Sequence, residues 1–185
     1  MITDLFPQPI WIRDSEHAWD YRSMISAAEP WAQPHALTVQ GQSTYAQRRQ
    51  ILELPEFHKL HTWLDSEVST YLDLVGSVNK VTVINSWVNW NPPESSTDRH
   101  SHQLSRVSGV FYLEAEPWCS PLRLYSNQRQ FQGYDFISRE TDYNQQYRDI
   151  GICRGRLILF PGWMEHSVPK TAGPRTVLSF NTVFV

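Results

Sequence analysis

Three histidines and one arginine are the residues of this chain best placed to do chemistry. His100-Ser101-His102 sets two imidazoles two positions apart. In extended backbone an i, i+2 pair points to the same side. Two neighbouring imidazoles are unfavourable when both are charged and useful when both face a metal ion. His166 comes much later, just past the strand-like run Arg156–Phe160. An HxH followed by a late His across a β region is a spacing that supplies three nitrogen donors to one metal. The same residues also read as surface or satisfied core histidines, and spacing alone leaves both readings open.

Arg175 opens a segment in which Arg175, Val177, Ser179 and Asn181 share one face, against Thr176, Leu178 and Phe180. Between His166 and Arg175 stand Pro169, Gly173 and Pro174. That turn-rich connection predicts a hairpin, with His166 and Arg175 on neighbouring strands facing a shared interior. No acid lies close in sequence on that strand, and an unpaired buried charge is strongly unfavourable. An inward Arg175 therefore calls for a ligand carboxylate, which fits the guanidinium fork. An outward, solvated Arg175 is the alternative.

The elements that position these groups come in two blocks. Phe6–Arg13 reads as an edge strand, since its prolines bar a central place. Ser15 is a candidate cap for a helix to Glu29, stopped by Pro30 and Pro34. Pro55 opens the clearest helix, with Phe57, Leu60, Leu64, Val68, Tyr71 and Val75 at spacings of three and four and Gly76 at its end. After Gly76 the period changes to two. Strands are expected at Val81–Trp90, Val107–Leu113, Leu122–Tyr125, Arg156–Phe160 and Arg175–Phe184, with a loop at Asn91–Arg99. Asn85, Trp87 and Asn89 share a face. The polar stretch Ser126–Asp149 reads as a long loop over the site, carrying Tyr134, Phe136, Tyr143 and Tyr147. Helices first and strands after predict a mainly β protein with N-terminal helices (α+β), a sandwich or barrel.

Composition sets bounds. The chain has 185 residues, 16 Lys+Arg against 19 Asp+Glu, and a formal net charge of −3. That balance argues against general nucleic-acid binding. No apolar run approaches the roughly 18 residues of a membrane span. The N-terminal residues lack a basic region followed by an apolar core, so cytoplasm is the expected compartment. Only Cys119 and Cys153 are present, which excludes a disulfide framework. Rings are abundant, with 8 Trp, 8 Tyr, 8 Phe and 7 His. They suit a β-rich core or an aromatic-lined pocket. His17, His35, His58 and His61 fall in the helical half and carry no motif.

The ordered segments His100–Leu113 (HSHQLSRVSGVFYL), Leu159–His166 (LFPGWMEH) and Arg175–Asn181 (RTVLSFN) resemble the 2-oxoglutarate/Fe(II)-dependent oxygenases. Within them the chain is most similar to the prolyl-hydroxylase-like family known from phages and bacteria. Leu5–Ile10 and Trp87–Trp90 extend the likeness to nearly the whole chain. The resemblance implies a double-stranded β-helix (jelly-roll) core over 80–185, with 1–79 as its supporting strand and helices in a single domain. It implies Fe(II) and 2-oxoglutarate, with ascorbate as a candidate reductant.

It also implies roles. His100 and His166 are the first and distal iron ligands, and His102 stands where most of the superfamily has Asp or Glu. Arg175 pairs with the C5 carboxylate of 2-oxoglutarate, and Tyr112 and Ser179 lie near the same carboxylate. The departure at His102 leaves two arrangements open: a three-His iron site, or His100, His166 and water with Asp98 as the nearest spare carboxylate. Trp87, Asn89 and Trp163 are candidate pocket residues for the substrate, a small molecule or peptide, with a peptidyl prolyl or amino-acid group foremost. Rival readings are a cupin-type three-His metalloenzyme that does not use 2-oxoglutarate, and a non-catalytic jelly-roll binding module. A homodimer is compatible with the edge strand and the apolar rings.

Overall fold

The computed structural model of the chain describes residues 7–127 and 138–185. Helix α1 runs Tyr21–Ala28 and begins later than Ser15 predicts. Asp20 caps it, accepting from the Ser23 N–H at 3.0 Å. Ser15 is engaged elsewhere: its hydroxyl accepts from Trp19 Nε1 at 2.8 Å, and its N–H donates to the Gly155 carbonyl at 2.9 Å. Helix α2, His58–Leu74, follows a short 3-10 turn begun by Pro55. Leu60, Leu64, Val68 and Tyr71 form its buried stripe. Gly76 ends it at φ +74°, where only glycine sits without strain, and Ser77 N–H returns to the Leu72 carbonyl.

Eleven strands are present among the described residues: β1 Trp11–Asp14, β2 Gln33–His35, β3 Thr38–Ser43, β4 Val81–Asn91, β5 Ser96–His100, β6 Val107–Glu114, β7 Leu122–Tyr125, β8 Tyr147–Ile150, β9 Arg156–Pro161, β10 His166–Val168 and β11 Arg175–Phe184. Five of these, β2, β3, β5, β8 and β10, lie outside the strands expected from sequence. They are short or polar, so their pairing comes from neighbours rather than from a pattern of their own. β5 takes the end of the expected loop Asn91–Arg99, and β4 runs on into its first residue. β8 takes the end of the expected loop Ser126–Asp149, pairing Tyr147 with Tyr125. The middle of that loop, 128–137 with Tyr134 and Phe136, and Phe6 at the start of the expected edge strand, lie outside the described residues.

The strands make a jelly roll. One antiparallel sheet is β9-β6-β11-β4 and the other β5-β10-β7-β8. β1 extends the first sheet as an edge strand on β9, clamped by the Arg156–Asp14 ion pair, and β3 joins the two sheets by pairing both β4 and β5. β10 and β11 are therefore in opposite sheets. The hairpin expected between His166 and Arg175 is instead a crossover, because β9, β10 and β11 alternate between the sheets.

Two apolar clusters follow from the alternation. On β11, Leu178 and Phe180 join Phe111, Leu157, Leu159 and the stripe of α2. Val177 joins the inner cluster with Val110, Tyr112, Ile158 and Phe160, between the sheets. No helix is long and apolar enough to cross a membrane among the described residues.

Candidate active site

The ladder between β5 and β10 makes His100 and His166 direct partners. His102 lies just beyond the end of β5, held by its N–H donating to the Gly162 carbonyl at 2.8 Å. The result is one cluster: a ligating nitrogen from each of His100, His102 and His166 lies within 4.8 Å of the others. His100 Nδ1 donates to the Asp98 carbonyl at 2.7 Å, and His166 Nδ1 to the Met164 carbonyl at 3.0 Å. Each bond fixes the tautomer and leaves Nε2 with its lone pair free.

Burial, aided by the neighbouring His100, lowers the His166 pKa to about 3 and that of His102 to about 4. Both rings are neutral at physiological pH. The Asp98 carboxylate is exposed and stays out of the cluster, so the nearest spare acid does not join it.

The cluster opens into a cavity of about 220 Å³ between the sheets. Arg175 lines it from β11 and is 4% exposed. Its Nη1 donates to the Ser120 carbonyl at 3.2 Å, and its buried Nε has no acceptor. Burial works against its charge, opposed most by the Tyr112 phenol. The Tyr112 ring centre is 5.9 Å from the guanidinium carbon, and burial pushes the phenol's pKa up. No Asp or Glu is among the cavity-lining residues, so Arg175 has no acidic partner there.

Ser179 and Asn89 also line the cavity, joined by an Asn89 Nδ2–Ser179 Oγ hydrogen bond of 3.2 Å. Trp87 is buried on the wall, edge-on to Tyr45 at 5.0 Å. Trp90, next but two along β4, packs with the helix-side cluster. Trp163 is 42% exposed and lies outside the cavity lining, carried outward by the Pro161-Gly162 turn.

Three lining residues carry no signal in sequence. His35 and Tyr45 come from β2 and the segment after β3, their rings 5.5 Å apart. His35, set aside with the helical half, is brought to the mouth by the β2–β3 pairing. Asn91, at the end of β4, is buried beside Arg175. Only the chain's path through space could reveal these three.

The family model described as "Putative 2OG-Fe(II) oxygenase" matches residues 85–181, more than half of the chain and the whole of the cluster and of Arg175. The chain belongs to the 2OG-Fe(II) oxygenases. No curated protein matches it in sequence.

Solved structures share the oxygenase's fold. A prolyl-4-hydroxylase from Pseudomonas putida is 16% identical, with 96% of this chain and 92% of that one covered at a TM-score of 0.62. HygX from Streptomyces hygroscopicus, solved with nickel, 2-oxoglutarate and hygromycin B bound, is 12% identical, with 95% and 83% covered at 0.65. A prolyl hydroxylase from Trichoplax adhaerens, in complex with a hypoxia inducible factor peptide fragment, is 13% identical, with 94% and 83% covered at 0.62.

Membership settles the reaction class. This is an enzyme that uses iron(II) and 2-oxoglutarate, which sets aside the cupin-type and non-catalytic readings. The donor set fits the metal. Three imidazoles whose nitrogens lie within 4.8 Å of one another form a nitrogen site of the kind iron accepts. The buried guanidinium, its Nε without an acceptor in an acid-free cavity, fits a dicarboxylate cosubstrate.

Proposed function

We propose that His100, His102 and His166 hold the iron, that Arg175 with Tyr112 and Ser179 seats the distal carboxylate of 2-oxoglutarate, and that the product is a hydroxylated small molecule or peptide. The observation that carries this reading is the pairing of three clustered imidazoles with a buried guanidinium in one acid-free cavity. When bound, the metal and cosubstrate supply oxygen activation coupled to decarboxylation of 2-oxoglutarate to succinate.

The protein's own residues orient and shield. The carbonyls of Asp98 and Met164 fix two imidazoles in ligating tautomers. Val110, Val177, Phe160 and Leu122 give the cavity an apolar lining that excludes water. Trp87 and Asn89 form the wall along which a substrate approaches. A peptidyl prolyl or amino-acid group is the class this reading puts first. Residues 1–79 act as the support and 80–185 as the catalytic core of a single unit.

The test is succinate formation with Fe(II), 2-oxoglutarate and oxygen, measured without a prime substrate and then across prolyl peptides and free amino acids. Slow basal succinate that accelerates with one of these supports the reading. No succinate from iron-loaded protein overturns the assigned residues. Basal turnover that no prolyl or amino-acid compound accelerates overturns the substrate class.

A further inference from the structure

We propose that Asn91 is a second donor to the anion seated at Arg175, so that the seat is an amide and a guanidinium acting together. This rests on the reading that the distal carboxylate of a 2-oxo dicarboxylate lies at Arg175.

Asn91 and Arg175 are direct partners on the β4–β11 ladder. Directly opposed residues on adjacent strands project from the same face. Both line the cavity, exposed by 3% and 4%. Asn91 Nδ2 and Arg175 Nε are both buried donors without acceptors. Buried donors of this kind are rare in native proteins, and each asks for a partner. No carboxylate among the lining residues supplies one.

The other flank of β11 repeats the theme. Val177 pairs with Tyr112 of β6, whose phenol is the strongest influence favouring the Arg175 charge. Three adjacent strands thus bring an amide, a guanidinium and a phenol to one end of the cavity. A carboxylate offers about four lone-pair sites, enough for the guanidinium fork and a further N–H. The amide contributes a hydrogen bond without adding a second cation, which the surrounding apolar wall would penalise.

The experiment is calorimetric titration of the manganese(II)-loaded protein with 2-oxoglutarate and with 2-oxovalerate. The latter keeps the 2-oxo acid end and lacks the distal carboxylate. Asn91→Ala is expected to weaken 2-oxoglutarate about ten- to hundredfold, the size of a lost hydrogen bond to a charged group, and to leave 2-oxovalerate unchanged. Asn91→Leu, which keeps the volume and removes the donor, is expected to match it and covers the case that the smaller variant folds poorly. Asn91→Asp is expected to lose more, because it sets like charges together.

An unchanged 2-oxoglutarate affinity in both donor-free variants, or an equal loss for both ligands, overturns the role of Asn91 and leaves that of Arg175 standing. A wild-type protein that binds the two ligands equally overturns the reading of Arg175, and this proposal with it.

Discussion

His100 and His166 stand directly opposite each other across the β5–β10 ladder, with ring centroids 4.3 Å apart. Burial and the neighbouring imidazole keep the His166 ring neutral, so it stands as a nitrogen donor. His102 completes the set from just past the strand, its ring 5.2 Å from that of His166.

Metal binding should therefore stabilise the protein directly. At a free Co(II) or Mn(II) concentration a hundred times Kd, the gain is about 2.7 kcal/mol. A melting-temperature rise of roughly 5–10 °C follows for a chain of this size. His166→Ala removes the buried imidazole and is expected to abolish the rise in a thermal-shift titration.

Arg175→Met should separate stability from function. It removes a buried charge that has no acid beside it. We expect the metal-free protein to gain about 1–3 kcal/mol in urea unfolding. Affinity for 2-oxoglutarate is expected to fall at least about hundredfold, while metal affinity holds. Equal losses for both would mean that Arg175 serves folding alone.

Acid should unfold the metal-free protein through the histidines. The folded pKa values of His166 and His102 are about 3 and about 4, below the ordinary value of 6.5. The unfolded chain thus binds more protons between those limits. Stability is full above about pH 6.5 and declines as pH falls toward the folded values, by up to about 1.4 kcal/mol per pH unit for each group. Urea midpoints from pH 7.5 to 5 check this. His166→Gln should flatten the slope.

Gly109→Ala should disturb the core between sheet and helices. A methyl group there would meet the Phe180 ring, and Leu159 Cδ2 at 2.8 Å. Both belong to the cluster packed against α2. A loss of about 1–3 kcal/mol is expected in chemical denaturation.

Much of this was legible in the chain because chemistry and periodicity coincide. His100 and His102 are two apart, Arg175 and Ser179 keep strand alternation, and the stripe of α2 recurs at three and four. The path between sheets was not legible. The turn residues of 169–174 signal a change of direction and say nothing about which sheet receives the next strand. The same gap hid His35, Tyr45 and Asn91, which reach the cavity through β2, the segment after β3 and the last residue of β4 rather than through any spacing. Trp163 failed in the opposite sense. It sits within a motif, yet the turn at Pro161-Gly162 carries it away from the cavity.

The division of the site between two sheets has a mechanical side. The imidazoles hang from β5, its end and β10, and the guanidinium from β11. A molecule gripped at both ends is a strut across the barrel. It ties together walls that are otherwise joined through β3 and the packed interior, so filling the cavity should slow amide exchange on both sheets at once. The strut must also have the right length. The gap between the sheets works as a caliper on the spacer between the two ends of the ligand, a dimension that no single residue in the cavity sets alone.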